Sequence, residues 1–163
     1  MRSISTLVFI LLSPLITFGA NEIAGKVISV IDGNTFELKA DDNETYEIIL
    51  YGIDCPELGQ PFSEEAKSQL EKLILKKAIT VTIQGKNRYG IRMGFFLIKN
   101  GVDPRNVLLE NGLAWTAERN AVQTLEELRI KALSEKIGIW KEDAPVPPWI
   151  YRRTQSMLLP KSS

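Results

Sequence analysis

The chain of 163 residues contains no histidine and only one cysteine, Cys55. The absence of histidine excludes Ser-His-Asp and Cys-His hydrolysis, because both mechanisms need an imidazole to move a proton. The usual zinc sites are excluded too, since they require several imidazoles or thiolates. Any hydrolytic chemistry must therefore rely on carboxylates, with a hard metal ion as the expected partner.

The sequence also lacks an excess of either charge. Twenty Lys and Arg residues balance 20 Asp and Glu residues, so the formal net charge is zero. Dedicated nucleic-acid binders more often carry a strong positive excess, so contact with nucleic acid would have to depend on local clusters of cations. The single cysteine rules out an intramolecular disulfide and leaves an intermolecular one open.

Long hydrophobic runs are missing except near the N-terminus. Arg2 precedes the apolar run Leu7-Val8-Phe9-Ile10-Leu11-Leu12, which is followed by Thr17-Phe18-Gly19-Ala20. This order is typical of a signal peptide, and the run is shorter than the roughly 20 apolar residues of a membrane span. We predict a signal peptide at residues 1–19, with cleavage after Gly19 or, alternatively, after Ala20; an uncleaved anchor is the other alternative. The mature protein is then secreted or periplasmic, without stable membrane insertion.

The remaining sequence predicts one α+β domain over residues 20–153. Alternation of apolar and polar residues predicts five short strands, at 23–31, 35–40, 46–51, 79–84 and 93–99. Helices are predicted from a Ser63 cap, from Asp103-Pro104 to near Gly112, and from about Ala121 to Gly138. This order favours a five-stranded OB-type β-barrel with three helices over a βαβ fold. Residues 154–163 are expected to form a flexible tail.

Acidic residues occur in two separate predicted turns. Asp32 and Asn34 lie between the first two strands, whereas Asp54 and Glu57 flank Pro56 just after the third. One interpretation is that these are ordinary hairpin and proline turns, in which Asp and Asn are common. The other is that the two loops converge into one carboxylate site.

An ordered set of motifs favours the second interpretation, because together they resemble the thermonuclease (staphylococcal-type nuclease) family between residues 23 and 152. The motifs are Asp32-Gly33-Asn34-Thr35, Tyr51-Gly52-Ile53-Asp54-Cys55-Pro56-Glu57, Asn87-Arg88-Tyr89-Gly90, Gly112-Leu113-Ala114 and Gly138-Ile139-Trp140. The resemblance implies a barrel fold, a nuclease scaffold and a calcium site. It assigns the metal ligands to Asn34, Asp54 and the backbone carbonyl of Cys55, and the positioning or deprotonation of the attacking water to Glu57.

Three positions depart from the family pattern. Asn34 stands where the family has Asp, which removes one formal charge and implies weak Ca²⁺ binding. Ile49 and Ile91 stand where the family has the two arginines that clamp the phosphate. A catalytic arginine can be worth about 10³–10⁵ in rate, so the loss of both implies a crippled phosphodiesterase.

Arg88 and Arg92 are the candidate substitutes for the two family arginines. Arg88 and Tyr89 match family positions beside a substrate phosphate, although they are equally compatible with a solvated hairpin end. Arg92 follows Ile91, and it would reach the face of Ile91 only if a bulge near Gly90 shifted the register.

Three hypotheses for function follow. The leading one is an exported thermonuclease-like domain with a degenerate site that binds nucleic acid or a partner but hydrolyses little. The second is an active calcium-dependent nuclease acting on DNA and RNA, which takes its cation from Arg88 or Arg92. The third is a protein-interaction module that docks a protein partner through the barrel surface or the segment 145–153.

Overall fold

The computed structural model describes residues 21–158. Residues 1–20, with the predicted signal peptide, and residues 159–163, at the end of the predicted tail, lie outside the described residues. Seven strands and four α-helices are described. The strands are β1 (Glu22–Val30), β2 (Thr35–Ala40), β3 (Thr45–Leu50), β4 (Ile53–Asp54), β5 (Ala78–Lys86), β6 (Arg92–Phe95) and β7 (Trp115–Thr116). The helices are α1 (Ser63–Ile74), α2 (Pro104–Glu110), α3 (Gln123–Ser134) and α4 (Pro148–Leu158).

Five of the strands close into a barrel in the order β1-β2-β3-β6-β5. The pairs are antiparallel except β3 with β6, where Ile49 lies opposite Met93 in a parallel register. The short strands β4 and β7 form a separate antiparallel pair beside the barrel. The predicted α+β class and the five-stranded OB-type barrel are therefore confirmed.

The apolar faces of the strands fill the barrel. On β2 the side chains of Phe36 and Leu38 are fully buried, whereas Lys39 points to solvent. The Phe36 ring meets Phe96 edge to face, with ring centroids 5.6 Å apart. This alternation with period two is what a strand with one buried face requires.

Helix α1 lies between β4 and β5 in sequence and packs its apolar stripe on the barrel. Ala66, Leu70 and Ile74 are all buried, as the helical spacing predicts. The predicted Ser63 cap is wrong, because the preceding residue Phe62 takes the N-cap position in a left-handed conformation with φ 67° and no side chain caps the helix. Phe62 packs instead against the two hydrophobic clusters of the domain.

A fourth helix, α4, was not expected from the sequence. It follows the proline-rich segment at Pro145–Pro148 and extends to Leu158, so Thr154 to Leu158 of the predicted tail are helical. Trp149 packs against a second apolar cluster formed by Trp115, Ile139 and Trp140 together with Ala132. None of the helices within residues 21–158 combines the length and apolar character needed to cross a membrane.

Two glycines hold the C-terminal part of the chain against the barrel. Gly112 and Gly138 both have positive φ, 61° and 58°, and their backbones touch. The Ile139 amide donates to the Gly112 carbonyl at 2.9 Å. A Cβ on Gly112 would overlap the carbonyl group of Ile137, whose carbon would lie 2.6 Å away. The contact explains why both positions are glycine.

We expect Gly112→Ala to destabilise the fold by at least about 3 kcal/mol, because backbone must move in addition to the cost of a left-handed alanine. Gly101→Ala is the matched control, since Gly101 also has positive φ (72°) but open space around its Cα. That variant should lose only about 1–2 kcal/mol. Urea unfolding of both variants measures the difference, and equal losses would contradict a steric role for Gly112.

The Glu126 carboxylate ties α3 to β7. Glu126 accepts from Arg129 at 2.6 Å and from the Thr116 hydroxyl at 2.6 Å. The Arg129 hydrogen bond, followed by that of Thr116, holds the pKa of Glu126 below its ordinary value of 4.5. Because the folded state lowers this pKa, the stabilisation is present above pH 4.5 and is lost as the pH falls through the folded value.

We therefore expect Glu126→Gln to cost about 0.5–1 kcal/mol at pH 7, and the difference from wild type to shrink toward zero near pH 3. Thermal unfolding measured across this pH range tests the effect. Glu127→Gln is the control, since the Glu127 carboxylate contacts only the neutral Gln123 amide among the described residues. A Glu126→Gln difference that does not change with pH would contradict the assignment.

Candidate functional site

The two acidic loops meet beside the mouth of the barrel. The Asp32-Gly33-Asn34 turn joins β1 to β2, and Asp54 ends β4 just before Cys55 and Glu57. Gly33 allows the loops to touch, because a Cβ at this position would lie 2.6 Å from the Cys55 Cβ and 2.7 Å from the Ala66 Cβ. The converging arrangement, rather than two independent turns, is the one that the structure adopts.

Asn34 links the two loops through its side chain. Its Oδ1 atom accepts a hydrogen bond of 3.0 Å from the buried Cys55 amide, and Asn34 itself is only 9% exposed. The main-chain N–H of Asn34 donates in turn to Asp32 Oδ1 at 2.9 Å. The oxygen that the sequence analysis assigned to a metal therefore accepts a main-chain hydrogen bond, which gives Asn34 a structural task whatever else it does.

Ile49 and Ile91, the two positions where the family has arginine, bring no charge to the site. Ile49 lies in the middle of β3, paired with Thr35 and Met93, and is half-buried. Ile91 lies just before β6 and is half-buried, and its amide donates to the Asn87 side chain at 3.0 Å. Both are ordinary apolar positions of the barrel wall.

Arg88 and Arg92, the candidate replacements for the two family arginines, lie away from the carboxylates. Arg88 is exposed and stacks on the exposed Tyr89 ring, 4.7 Å from its centroid, at the tip of the β5–β6 hairpin. Arg92 lies 4.2 Å from the centroid of the Tyr46 ring on β3. The strand irregularity in this region falls in β5, between Ile83 and Gly85, and not near Gly90. Neither arginine contacts Asp54 or Glu57.

The guanidinium that does reach the carboxylates is Arg152 of α4. It binds Asp54 with two hydrogen bonds, Nη1 to Oδ1 at 3.1 Å and Nη2 to Oδ2 at 2.8 Å. Nη1 also donates to Glu57 Oε1 in a short contact. One cation thus bridges the two carboxylates that the family motif supplies. The sequence motifs do not indicate a role for Arg152. Pro148 is a helix-start signal for α4, but no local pattern links Arg152 to Asp54, which is 98 positions away.

Helix α4 is held at the site by further polar contacts. Arg153 Nη2 binds Glu118 Oε1 at 2.6 Å, and the Gln60 side chain donates to the Val146 carbonyl at 2.8 Å. Gln60 also accepts from the Glu57 amide at 2.8 Å, so the loop that carries Glu57 is coupled to the segment before α4. The buried Gln60 side chain therefore has a structural role.

Burial makes Asp54 depend on a nearby cation. Its side chain is 17% exposed, and this desolvation raises its pKa, while the hydrogen bonds from Arg152 act in the opposite direction. Asp32 and Glu118 also raise the pKa of Asp54 by like-charge repulsion. Arg152 in turn has a raised pKa because Asp54 and Glu57 stabilise its charged form. The negatively charged site is thus paired with one positive charge from the same chain, that of Arg152.

Cys55 contributes its backbone rather than its thiol. The side chain is buried, and burial raises the pKa of the thiol well above its ordinary value, as do the neighbouring Asp32, Asp54 and Glu57 charges. A thiol held neutral is a poor nucleophile and a poor metal ligand. Its role in the site is the amide that binds Asn34 and the carbonyl that the family resemblance assigns to a metal.

The donor set as it stands does not fit a divalent cation. Calcium takes six to eight oxygen ligands, yet the Asp54 and Glu57 carboxylates bind Arg152 and the Asn34 oxygen binds the Cys55 amide. Across residues 21–158 no three acidic or sulfur-bearing side chains come together as a metal-binding group. A metal ion would need Arg152 to leave first.

Comparison with known proteins identifies the family. The model of the "Staphylococcal nuclease homologue" family matches residues 47–142, which is more than half of the chain. An "Uncharacterized endonuclease" of Escherichia coli O157:H7 is 33% identical over 132 residues, covering 80% of this chain and 86% of that protein. The similarity extends to "Protein ParB" of Escherichia coli (29% identity, 81% of this chain and 80% of that protein) and to a "Micrococcal nuclease" of Shigella flexneri (25% identity, 79% and 80%).

The chain therefore belongs to the staphylococcal nuclease family, and its barrel is a nuclease-like scaffold. The resemblance found in the sequence motifs is confirmed. The roles of Asn34, Asp54, Cys55, Glu57, Arg88 and Tyr89 in metal or phosphate binding stay predictions.

We expect Asn34→Ala to cost about 1–3 kcal/mol, because the buried Cys55 amide would lose its acceptor. Asn34→Asp is the matched comparison, since a carboxylate oxygen of similar size can still accept from that amide. Its stability should stay closer to that of wild type, reduced only by repulsion from Asp32 and Asp54. Chemical unfolding of the two variants provides the measurement, and an Asn34→Ala variant as stable as wild type would refute the loop-linking role.

Proposed function

We propose that this protein is an exported member of the staphylococcal nuclease family with a degenerate phosphodiesterase site, which binds nucleic acid and hydrolyses it little or not at all. The proposal rests on where the positive charge at the site comes from and what it is bound to. Positions 49 and 91 are apolar, and the guanidinium that reaches the carboxylates, Arg152, is bound to Asp54 and Glu57.

Phosphodiester hydrolysis needs cations placed against the phosphate oxygens as negative charge develops in the transition state. A site with Asp54, Glu57 and nearby Asp32 but no free guanidinium repels the phosphate instead. A calcium ion would supply positive charge, but its affinity is expected to be weak. Asn34 removes one formal charge from the family's ligand set, and Arg152 competes for the remaining carboxylates.

Binding of nucleic acid is supported by a local cluster of cations rather than by net charge. Lys86, Arg88 and Tyr89 lie at the exposed end of the β5–β6 hairpin, with the Tyr89 ring 71% exposed. An arginine beside an open aromatic ring can contact a phosphate and stack on a base. Export is proposed from the leader at residues 1–19 alone.

The second candidate is an active calcium-dependent nuclease. Asp54 and Glu57 are both retained, and relatives of this chain are named "endonuclease" and "micrococcal nuclease". In this case Arg152, rather than Arg88 or Arg92, is the guanidinium nearest the reacting groups. Calcium-dependent cleavage by the wild-type protein distinguishes this candidate from the first.

The test compares the purified protein with the variant Asn34→Asp/Ile49→Arg/Ile91→Arg on single-stranded DNA and RNA, with calcium and with chelator. We expect little cleavage by wild type and at least about a hundredfold gain in the variant, because the phosphate-clamping charges return. Adding Glu57→Gln to the variant should abolish the gain. Circular dichroism checks that all three proteins are folded.

Robust calcium-dependent cleavage by wild type would overturn the degenerate-site proposal. Fluorescence anisotropy with labelled single-stranded DNA at increasing salt concentration tests whether the protein binds nucleic acid. A linear fall of log affinity with log salt concentration indicates phosphate contacts. A smaller slope in Arg88→Gln supports nucleic-acid binding through this hairpin. If the protein does not bind nucleic acid, the protein-interaction hypothesis becomes the better account of its function.

A further inference from the structure

Helix α4 places a positive charge where a metal ion would be expected. The Arg152 guanidinium contacts both oxygens of Asp54 and one oxygen of Glu57. These carboxylates belong to one loop, whereas Arg152 comes from the other end of the chain. A guanidinium that bridges two carboxylates neutralises them as a bound cation does, and it uses the oxygens that the cation would need.

The charge around this bridge indicates that it is more than a surface ion pair. Asp54 is largely buried, and the like charges of Asp32 and Glu118 lie near it. Burying a charged group is costly unless it is paired and hydrogen-bonded, and Arg152 makes two hydrogen bonds to Asp54. Within the described residues, Arg152 is the cation bonded to Asp54.

The rest of α4 is weakly attached. Pro148 is its only buried residue within the described chain, and the residues from Arg152 onward are exposed. Beyond the packing of Trp149 and the approach of the Tyr151 hydroxyl to Gly59, the helix is held by the Arg152 bridge and by the Arg153–Glu118 pair. The Arg153–Glu118 pair is exposed and contributes little to stability. Much of the docking therefore depends on the Arg152 bridge, which a ligand that binds the same carboxylates can displace.

We propose that Arg152 acts as a built-in counter-cation of the Asp54–Glu57 site, so that helix α4 and a divalent metal ion compete for the same carboxylate oxygens. Binding of the metal expels Arg152 and loosens α4; docking of α4 lowers the metal affinity. This inference rests on the proposed function only in taking Asp54 and Glu57 as the centre of the site. It holds whether or not the site cleaves a phosphodiester.

The test measures calcium affinity by isothermal titration for wild type, Arg152→Gln and Arg153→Gln. If Arg152 occupies the site about nine-tenths of the time, its removal should raise the calcium affinity about tenfold, since the apparent affinity scales with the open fraction. Arg153→Gln is the matched control, because it breaks the neighbouring contact of α4 with Glu118 and leaves the Asp54–Glu57 bridge in place. It should change the affinity by less than about threefold.

A second measurement follows the helix directly. Calcium added to wild type should accelerate hydrogen exchange at the amides of the α4 residues 151–158, whereas the barrel strands stay protected. In Arg152→Gln the same amides should already exchange faster without calcium. The thermal unfolding midpoint of each variant shows that the barrel itself is intact.

Three results would overturn the proposal. The first is that Arg152→Gln binds calcium no better than wild type, including the case where neither binds. The second is an equal gain in affinity in both variants, which would assign the effect to helix docking in general. The third is that calcium binds wild type while hydrogen exchange in α4 stays unchanged. None of these measurements involves cleavage, so failure here is distinct from failure of the degenerate-site proposal.

Discussion

The contact between the turn after β1 and the loop after β4 is the feature on which the candidate site depends. Gly33 brings the two backbones together against Cys55 and Ala66, and the Asn34 side chain then satisfies the buried Cys55 amide. Without that acceptor a buried main-chain donor would be left unpaired, which costs about 1–3 kcal/mol. The direction of Asp54 and Glu57 therefore follows from main-chain geometry that the barrel and α1 fix together.

Holding Asp54 in this position creates an electrostatic demand. Desolvation and the neighbouring Asp32 and Glu118 charges oppose its ionisation, so the fold needs a cation nearby. In this chain the cation comes from Arg152, at the C-terminal end of the structure. The same demand links features that are distant in sequence: a loop motif at residues 54–57, a proline-rich segment, and a helix whose side chains are otherwise mostly exposed.

Local patterns predicted the barrel well because each strand carries its own signal. Phe36 and Leu38 alternate with polar residues, and α1 has its buried residues at helical spacing, so neither depends on distant contacts. The Ser63 cap failed because Phe62, which packs against both hydrophobic clusters, takes the N-cap position. Helix α4 was missed because three prolines dominate its approach, although Pro148 at the first helical position is itself a start signal.

The site was predictable only in part, for a related reason. Motif order located Asp54, Glu57 and Asn34 on neighbouring loops, but the pattern could not reveal that the Asn34 oxygen binds the Cys55 amide. Nor could it reveal the Arg152 bridge, which joins residues 95 and 98 positions apart. Such contacts arise from tertiary packing, and sequence periodicity carries no information about them.

Different parts of the fold hold the carboxylates and the two isoleucine positions. The carboxylates are positioned by backbone contacts and by Gln60, which binds both the Glu57 amide and the Val146 carbonyl. Positions 49 and 91 instead lie on the barrel wall, where isoleucine is compatible with the strand and its neighbours. Isoleucine at these two positions is therefore compatible with the barrel and the loop geometry. Loss of Gly33 or Asn34 would damage the fold itself. The contacts that orient the carboxylates thus belong to the fold, so the fold alone does not decide whether the site hydrolyses a phosphodiester.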